Sequence, residues 1–257
     1  MKTGNFYFNL WKKKIDVWGI NFSKLSKMSL DKLCYLAQLD WLMNTEREQI
    51  EMVLLEKADT DLVKDLLWKQ YLYTSKARVK IIERGNTEEI KKMISCAYFA
   101  EKNRKLFDET VLDALFARGE SCEILAWLSY TRFCCAVKDK YAIQILQRGC
   151  KEEISALADC QISDEIISKI IDRNNKEEIQ KLCYRANKKT IECILNRNKP
   201  DEVLFLVEKN HSLHIVDGAL ELLFSKGGDD AIRHYIMSGG HLPPLYIQKA
   251  FMRFSAV

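Results

Sequence analysis

Ile145-Leu146-Gln147-Arg148-Gly149-Cys150-Lys151-Glu152-Glu153-Ile154-Ser155-Ala156-Leu157 is one copy of a phrase that runs along this chain. Two apolar residues are followed by a variable residue and a Lys or Arg. Six positions beyond the cation stands an aliphatic residue, with further apolar residues three and four places on. The phrase is centred seven times, on Lys57, Arg84, Arg118, Arg148, Arg173, Arg197 and Lys226. Repetition at this period implies stacked units that share one continuous core, because a single unit cannot bury its own apolar face.

The segment after each cation has helical spacing. Its triplets are Val63/Leu66/Leu67, Ile90/Met93/Ile94, Ile124/Trp127/Leu128, Ile154/Leu157/Ala158, Ile179/Leu182/Cys183, Val203/Leu206/Val207 and Ile232/Tyr235/Ile236. Positions i, i+3 and i+4 share one face of a helix, here called helix A. The segment before each cation is helical too, as in Leu112/Leu115/Phe116 and Ile191/Ile194/Leu195. This helix B ends at the cation. Gly85, Gly119, Gly149, Asn174, Asn198 and Gly227 follow directly, residue types that tolerate the left-handed conformation closing a helix.

The charges around the turn have a local reading. The cation stands where the dipole of helix B is negative. Glu88-Glu89, Glu152-Glu153, Glu177-Glu178, Asp201-Glu202 and Asp229-Asp230 stand where the dipole of helix A is positive. The arginine ladder can also be read as a phosphate-binding stripe, but the acids behind most of its members offset that field. Cation-to-cation spacings of 27, 34, 30, 25, 24 and 29 residues place the length variation in the linkers that follow helix A. Insertions on one edge of a solenoid often mark the binding face.

Composition agrees with helices. Hydrophobic residues make up 47% and charged residues 30% of the 257, which supports a folded core and argues against disorder. Three prolines and ten glycines are few for an all-β chain. A net charge of +4 with well-mixed signs is weak for a dedicated nucleic-acid binder. The nine cysteines follow no disulfide framework and include no C-x-x-C, which points to a reducing, cytoplasmic setting. No apolar run reaches membrane-spanning length, and Phe6 to Trp11 is too short for a secretory signal.

The stretches ILQRGCKEEISAL (145–157), ILNRNKPDEVLFLVEKN (194–210) and LFSKGGDDAIRHYIMSGGHLPP (223–244) resemble the helix-turn-helix core of ankyrin repeats. The resemblance covers roughly residues 50–254. Two features depart from that family: no unit opens on Thr-Pro-Leu-His, and units of 24 and 25 residues are shorter than the usual module. The resemblance implies a protein-recognition scaffold without catalysis, of a kind common in bacterial effectors and large DNA viruses, hence a host–pathogen setting.

The expected fold is therefore all-α: a right-handed α-solenoid of about seven to eight helix-turn-helix repeats with caps at both ends. Residues 1–29, with Phe6, Tyr7, Phe8, Trp11, Trp18, Phe22 and the run Lys12-Lys13-Lys14, form an aromatic-rich N-terminal cap. Residues 30–242 are the array, with Leu33/Leu36/Ala37 at the right offset from Lys27 to begin a worn first unit. Residues 243–257 are a closing helix that begins at Pro243-Pro244 and packs through Ile247/Ala250/Phe251/Phe254.

The expected function is binding of a protein partner, without enzymatic activity, cofactor or metal. Large aromatics and Arg carry most interface energy. The candidates are Trp68, Tyr71, Tyr73, Tyr98, Phe99, Tyr130, Arg132 and Phe133, all at or just past the far end of a helix A. Internal packing is the competing reading for each. The alternative function is nucleic-acid binding on a concave basic face. His211, His214 and Asp217 lack a further ligand at metal-site spacing, and Cys134-Cys135 sits in no catalytic motif. Trp41, Trp68 and Trp127 do not map onto the motifs of helical-repeat DNA glycosylases.

Overall fold

The computed structural model describes residues 9, 11–12, 14–15, 19–97, 107–211 and 213–255. These are all-helical apart from turns and one isolated bridge between Ala136 and Gln161. The chain divides into two compact units, residues 1–127 and 128–257.

Unit 1 holds α1 (Leu30–Ala37), α2 (Asn44–Lys57), α3 (Thr60–Trp68), α4 (Ser75–Arg84), α5 (Thr87–Ala97), α6 (Glu109–Arg118) and the first half of α7 (Ser121–Cys134). Helices α2, α4 and α6 pack in succession as one layer, and α3 packs on α5 in a second. Unit 2 holds the rest of α7, then α8 (Asp139–Arg148), α9 (Lys151–Ala158), α10 (Asp164–Asp172), α11 (Lys176–Cys183), α12 (Lys188–Arg197), α13 (Pro200–Lys209), α14 (Ala219–Lys226), α15 (Gly228–Met237) and α16 (Pro244–Phe254). Here α8, α10, α12 and α14 form the first layer, and α9, α11, α13 and α15 the second. Every helix of the first layers is a helix B and every helix of the second layers a helix A, so the phrase predicts each hairpin.

Every member of the seven helix A triplets is buried except Ile236. Burying one such side chain contributes about 1.5–3 kcal/mol, enough that the triplets dominate the cohesion between neighbours. Helix B closes as the sequence requires. Gly85, Gly119, Gly149, Asn174 and Asn198 all have positive φ, between 50° and 74°. In the Lys226 turn the left-handed residue is displaced by one position, to Gly228, and after Lys57 the chain leaves α2 extended at Ala58. Most helix B starts are capped by a side chain, as Thr74, Asp108, Ser163 and Asn187 accept from the backbone three residues on.

The charges at the turns do more than complement dipoles. The first acid of each pair, such as Glu88, Glu152 and Glu177, is exposed. The acid five residues past the arginine, third in helix A, is Glu89, Glu123, Glu153, Glu178 or Glu202, and the first four are fully buried. Each takes hydrogen bonds from its arginine. Arg84 Nε and Nη2 donate to Glu89 at 2.9 and 3.1 Å, and Arg148 and Arg197 repeat this two-pronged contact on Glu153 and Glu202. Arg118 Nε donates to both oxygens of Glu123, and Arg173 Nε to one oxygen of Glu178 at 3.1 Å. A buried carboxylate is tolerable only with such a partner.

The same guanidiniums also reach back to the previous repeat. Arg84 Nη1 donates to Leu55 O at 2.5 Å, Arg118 Nη2 to Gly85 O at 2.8 Å and Arg197 Nη1 to Ile171 O at 3.0 Å. Those carbonyls lie at the C-terminal ends of the preceding B helices, where the helix leaves acceptors unmatched. Lys57 Nζ does the same for Met28 O. One side chain thus ties three helix ends together and fixes the register between repeats.

The described part of the N-terminal segment packs on α1 and α2. Ile15 and Leu25 are buried, and the Trp11 ring meets Tyr35 edge-on at 5.9 Å. A 3₁₀ helix, Phe22–Lys27, packs on α2, and Leu33, Leu36 and Ala37 of α1 are buried. Phe6, Tyr7, Phe8, Lys13 and Trp18 lie outside the described residues.

The closing helix corrects the sequence reading in part. It forms where expected, but of the four residues expected to pack only Ala250 is fully buried, and Ile247 and Phe251 face outward. The reason is rotational. Tyr246 meets Phe224 at 5.2 Å, and Arg253 Nη1 donates to Phe224 O at 2.7 Å, so this other stripe of α16 faces α14.

Candidate partner-binding surface

At the far ends of the A helices the chain turns back toward the next helix B. In unit 1, Trp68 is the last residue of α3 and is 58% exposed. Lys92 of α5 holds its Nζ 4.6 Å from the ring centroid, a cation–π contact worth about 0.5–1 kcal/mol at an exposed site. Past Trp68, Gln70 has a positive φ and Tyr71 N donates to Leu66 O, which ends the helix and turns the chain.

Tyr71 and Tyr73 follow that turn and are half-buried. Tyr73 belongs to an internal network. Arg47 lies over its ring at 4.7 Å and donates to Ala37 O and Leu39 O. The Tyr73 and Thr74 backbones donate to the buried Glu51, whose carboxyl burial pushes above the ordinary range. Tyr98 and Phe99 lie outside the described residues.

In unit 2 the corresponding edge forms a continuous strip. Phe133, near the end of α7, is 67% exposed, with the Arg132 guanidinium 5.5 Å from its ring. Arg132 pairs with Asp159, just past α9, at 3.4 Å. Lys181 of α11 approaches the same carboxylate at 3.7 Å, and Arg185 donates to Arg132 O at 3.3 Å. Tyr184 stands exposed beside them and meets Phe205 of α13 edge-on at 5.9 Å, with Lys209 over the Phe205 ring at 5.5 Å. Tyr130 of α7 is half-buried.

The sequence candidates Arg132 and Phe133 are therefore brought together with three residues that sequence reasoning missed: Tyr184, Arg185 and Phe205. A signal existed. Tyr184 and Arg185 directly follow the Leu182/Cys183 end of a triplet, the offset at which Trp68 follows Leu67. Arg132 and Lys181 share Asp159, Arg185 joins Arg132 through its backbone carbonyl and Lys209 pairs with Glu208, so four cations stand with two acids along the strip. Arg132 lies against the Phe133 ring and Lys209 against the Phe205 ring, while Phe133 and Tyr184 stay exposed.

The arginine ladder offers no comparable positive stripe, because a glutamate engages each guanidinium. Among the described residues no cluster of three metal-ligating side chains occurs. His214 lies beside His241 with the rings tilted at 58° and their centroids 4.6 Å apart, and Asp217 lies in the turn beyond. No described helix is long and apolar enough to cross a membrane. No protein-family model, curated protein or solved structure matches this chain.

Proposed function

We propose that the chain is a non-enzymatic helical-repeat scaffold that holds an acidic protein partner on the aromatic–cationic strip of unit 2. The reading rests on one observation: Arg132 and Lys181 meet on the Asp159 carboxylate, Arg185 donates to Arg132 O, and Phe133 and Tyr184, next to these arginines in the chain, stand exposed at the ends of A helices. Arg and aromatic side chains set in a polar rim supply most of the energy of protein interfaces. Pairs of short helices closed by left-handed Gly or Asn make an ankyrin-like, right-handed array of seven to eight units the finer proposal. Nine free thiols accord with a reducing cytoplasm, including that of a host cell.

The test compares partners retained by the wild-type chain with those retained by Arg132→Glu/Phe133→Ala/Tyr184→Ala. All three residues are exposed, so helical circular dichroism is expected to be unchanged. An acidic protein held by the wild type, released by the variant and unaffected by nuclease is the expected result. Identical retention by both chains sinks the reading. A second reading, nucleic-acid binding, draws on the same cations and rings. It predicts retention abolished by nuclease and affinity that falls steeply with salt.

A further inference from the structure

Helix α16 repeats the phrase once more. Ala250-Phe251-Met252-Arg253 matches its first half and follows Lys226 by 27 residues, within the range of the other spacings. Arg253 also acts as a ladder arginine. Its Nη1 donates to Phe224 O at the end of α14, as Arg84 donates to Leu55 O and Arg197 to Ile171 O. Its Nε donates to Asp229 at 2.5 Å. Helix α16 is therefore helix B of a further repeat, docked on the array through its inner stripe of Tyr246, Ala250 and Arg253.

Its outer stripe is apolar and exposed. Leu245, Ile247, Phe251 and Met252 all face outward, Phe251 at 72%. In unit 2 the matching faces of α8, α10 and α12 are each covered by the next helix B. No described helix covers this stripe, which continues the stacking face that α8, α10 and α12 use in unit 2.

The chemistry of the face selects its occupant. Its four side chains form two helical pairs, Ile247/Phe251 at i, i+4 and Leu245/Met252 at i, i+7, with Gln248 between them, and so match the few anchors by which one amphipathic helix docks. They fall far short of the ~20–30 residues per side of a stable globular interface. Helix α16 contains no acid, and Lys249 and Arg233 border the stripe, Arg233 lying 4.2 Å over the Phe254 ring. A second copy packed face to face would set like charges together. We propose that this end of unit 2 binds one amphipathic α-helix of another protein, apolar at i, i+3 or i+4 and i+7, with Asp or Glu along its borders. The occupant extends the array by one helix B. The residues differ from those of the aromatic strip, so failure here leaves that proposal standing.

The experiment is fluorescence anisotropy on the full chain with a labelled helical peptide of about 18 residues, leucine at those positions and glutamate on both flanks. A second peptide carries lysine on the flanks. Saturable one-to-one binding of the glutamate peptide is expected, about tenfold weaker in Ile247→Asp/Phe251→Asp and clearly weaker for the lysine peptide. Circular dichroism checks the fold of the double variant, and the milder Met252→Gln is expected to weaken binding without perturbing it. Four outcomes overturn the proposal. They are no saturation up to about 1 mM, equal binding by the double variant, a dimer in sedimentation equilibrium that Phe251→Asp dissolves, and co-sedimentation with phosphatidylserine vesicles that the same substitution abolishes.

Discussion

The hairpin around Arg197 and the hairpin around Lys226 are neighbours in unit 2, share the phrase and are built differently. At the first, Arg197 grips Glu202 with two hydrogen bonds, which raise its own pKa further, and reaches back to Ile171 O. Val203, Leu206 and Val207 are all buried. At the second, the position five past the cation is Ala231, Lys226 donates to Asn196, and Ile236 is 38% exposed. Helix α13 packs against α11 on one side and α15 on the other; among the described residues no further helix A follows α15. In these two hairpins the arginine-bound glutamate goes with the helix A that is flanked on both sides, and the other has Ala231 in its place.

That contrast breaks most sharply at the glutamates. Glu153→Ala strands Arg148 and is expected to cost about 3 kcal/mol, as loss of one partner of a buried pair does. Asp230→Ala, an exposed acid of the terminal hairpin, is expected to stay within about 0.5 kcal/mol. Urea titration followed by circular dichroism reads both, and equal small losses would show the ladder to be ornamental.

The reverse test builds the missing pair. Ala231→Glu alone buries an unmatched carboxylate and should destabilise by about 1–3 kcal/mol. Adding Lys226→Arg should recover at least about 1 kcal/mol of that, measured as the coupling in a double-mutant cycle. No coupling means that the terminal hairpin cannot hold the interior geometry. Smaller again is Gly149→Ala. A Cβ there meets nothing within 4 Å, so the cost is that of the left-handed backbone alone, about 1 kcal/mol.

The fold was largely legible because two periods repeat in register. Helical spacing of Ile154, Leu157 and Ala158 marks one helix, and Arg148-Gly149 marks the turn before it. Seven such coincidences leave little else to choose. The ladder was half legible. The acid pairs were visible, but charge at a helix start looks the same whether solvated like Glu152 or buried like Glu153. Glu123 was overlooked because Cys122 stands where the other copies have an acid. The candidate surface was less legible still. Tyr73 and Tyr184 are both aromatics past a helix A, and only tertiary contacts put one under Arg47 and the other in water. The direction α16 faces was invisible, since its spacing offers two stripes and the choice is made by Tyr246 and Arg253 meeting α14.

The faintest difference between the two hairpin types is chemical. Cys183 ends the triplet of α11 in the place that Ile236 takes in α15. Burial pushes the Cys183 thiol up to about 12, and that of Cys160 equally. At pH 8 only about one Cys183 in ten thousand is then a thiolate, the reactive form. Ile236→Cys would place a thiol at the same triplet position but near water. With dithionitrobenzoate at pH 8, mass spectrometry should find position 236 labelled early and Cys183 labelled only on unfolding. The raised pKa values also set an alkaline limit. Unfolded thiols ionise near pH 9 while the folded pair stays protonated, so the unfolded state binds fewer protons and stability falls as pH rises toward 12. Cys160→Ala/Cys183→Ala should flatten that fall while lowering stability at pH 7, and an unchanged slope between pH 9 and 11 would locate the alkaline loss in other groups.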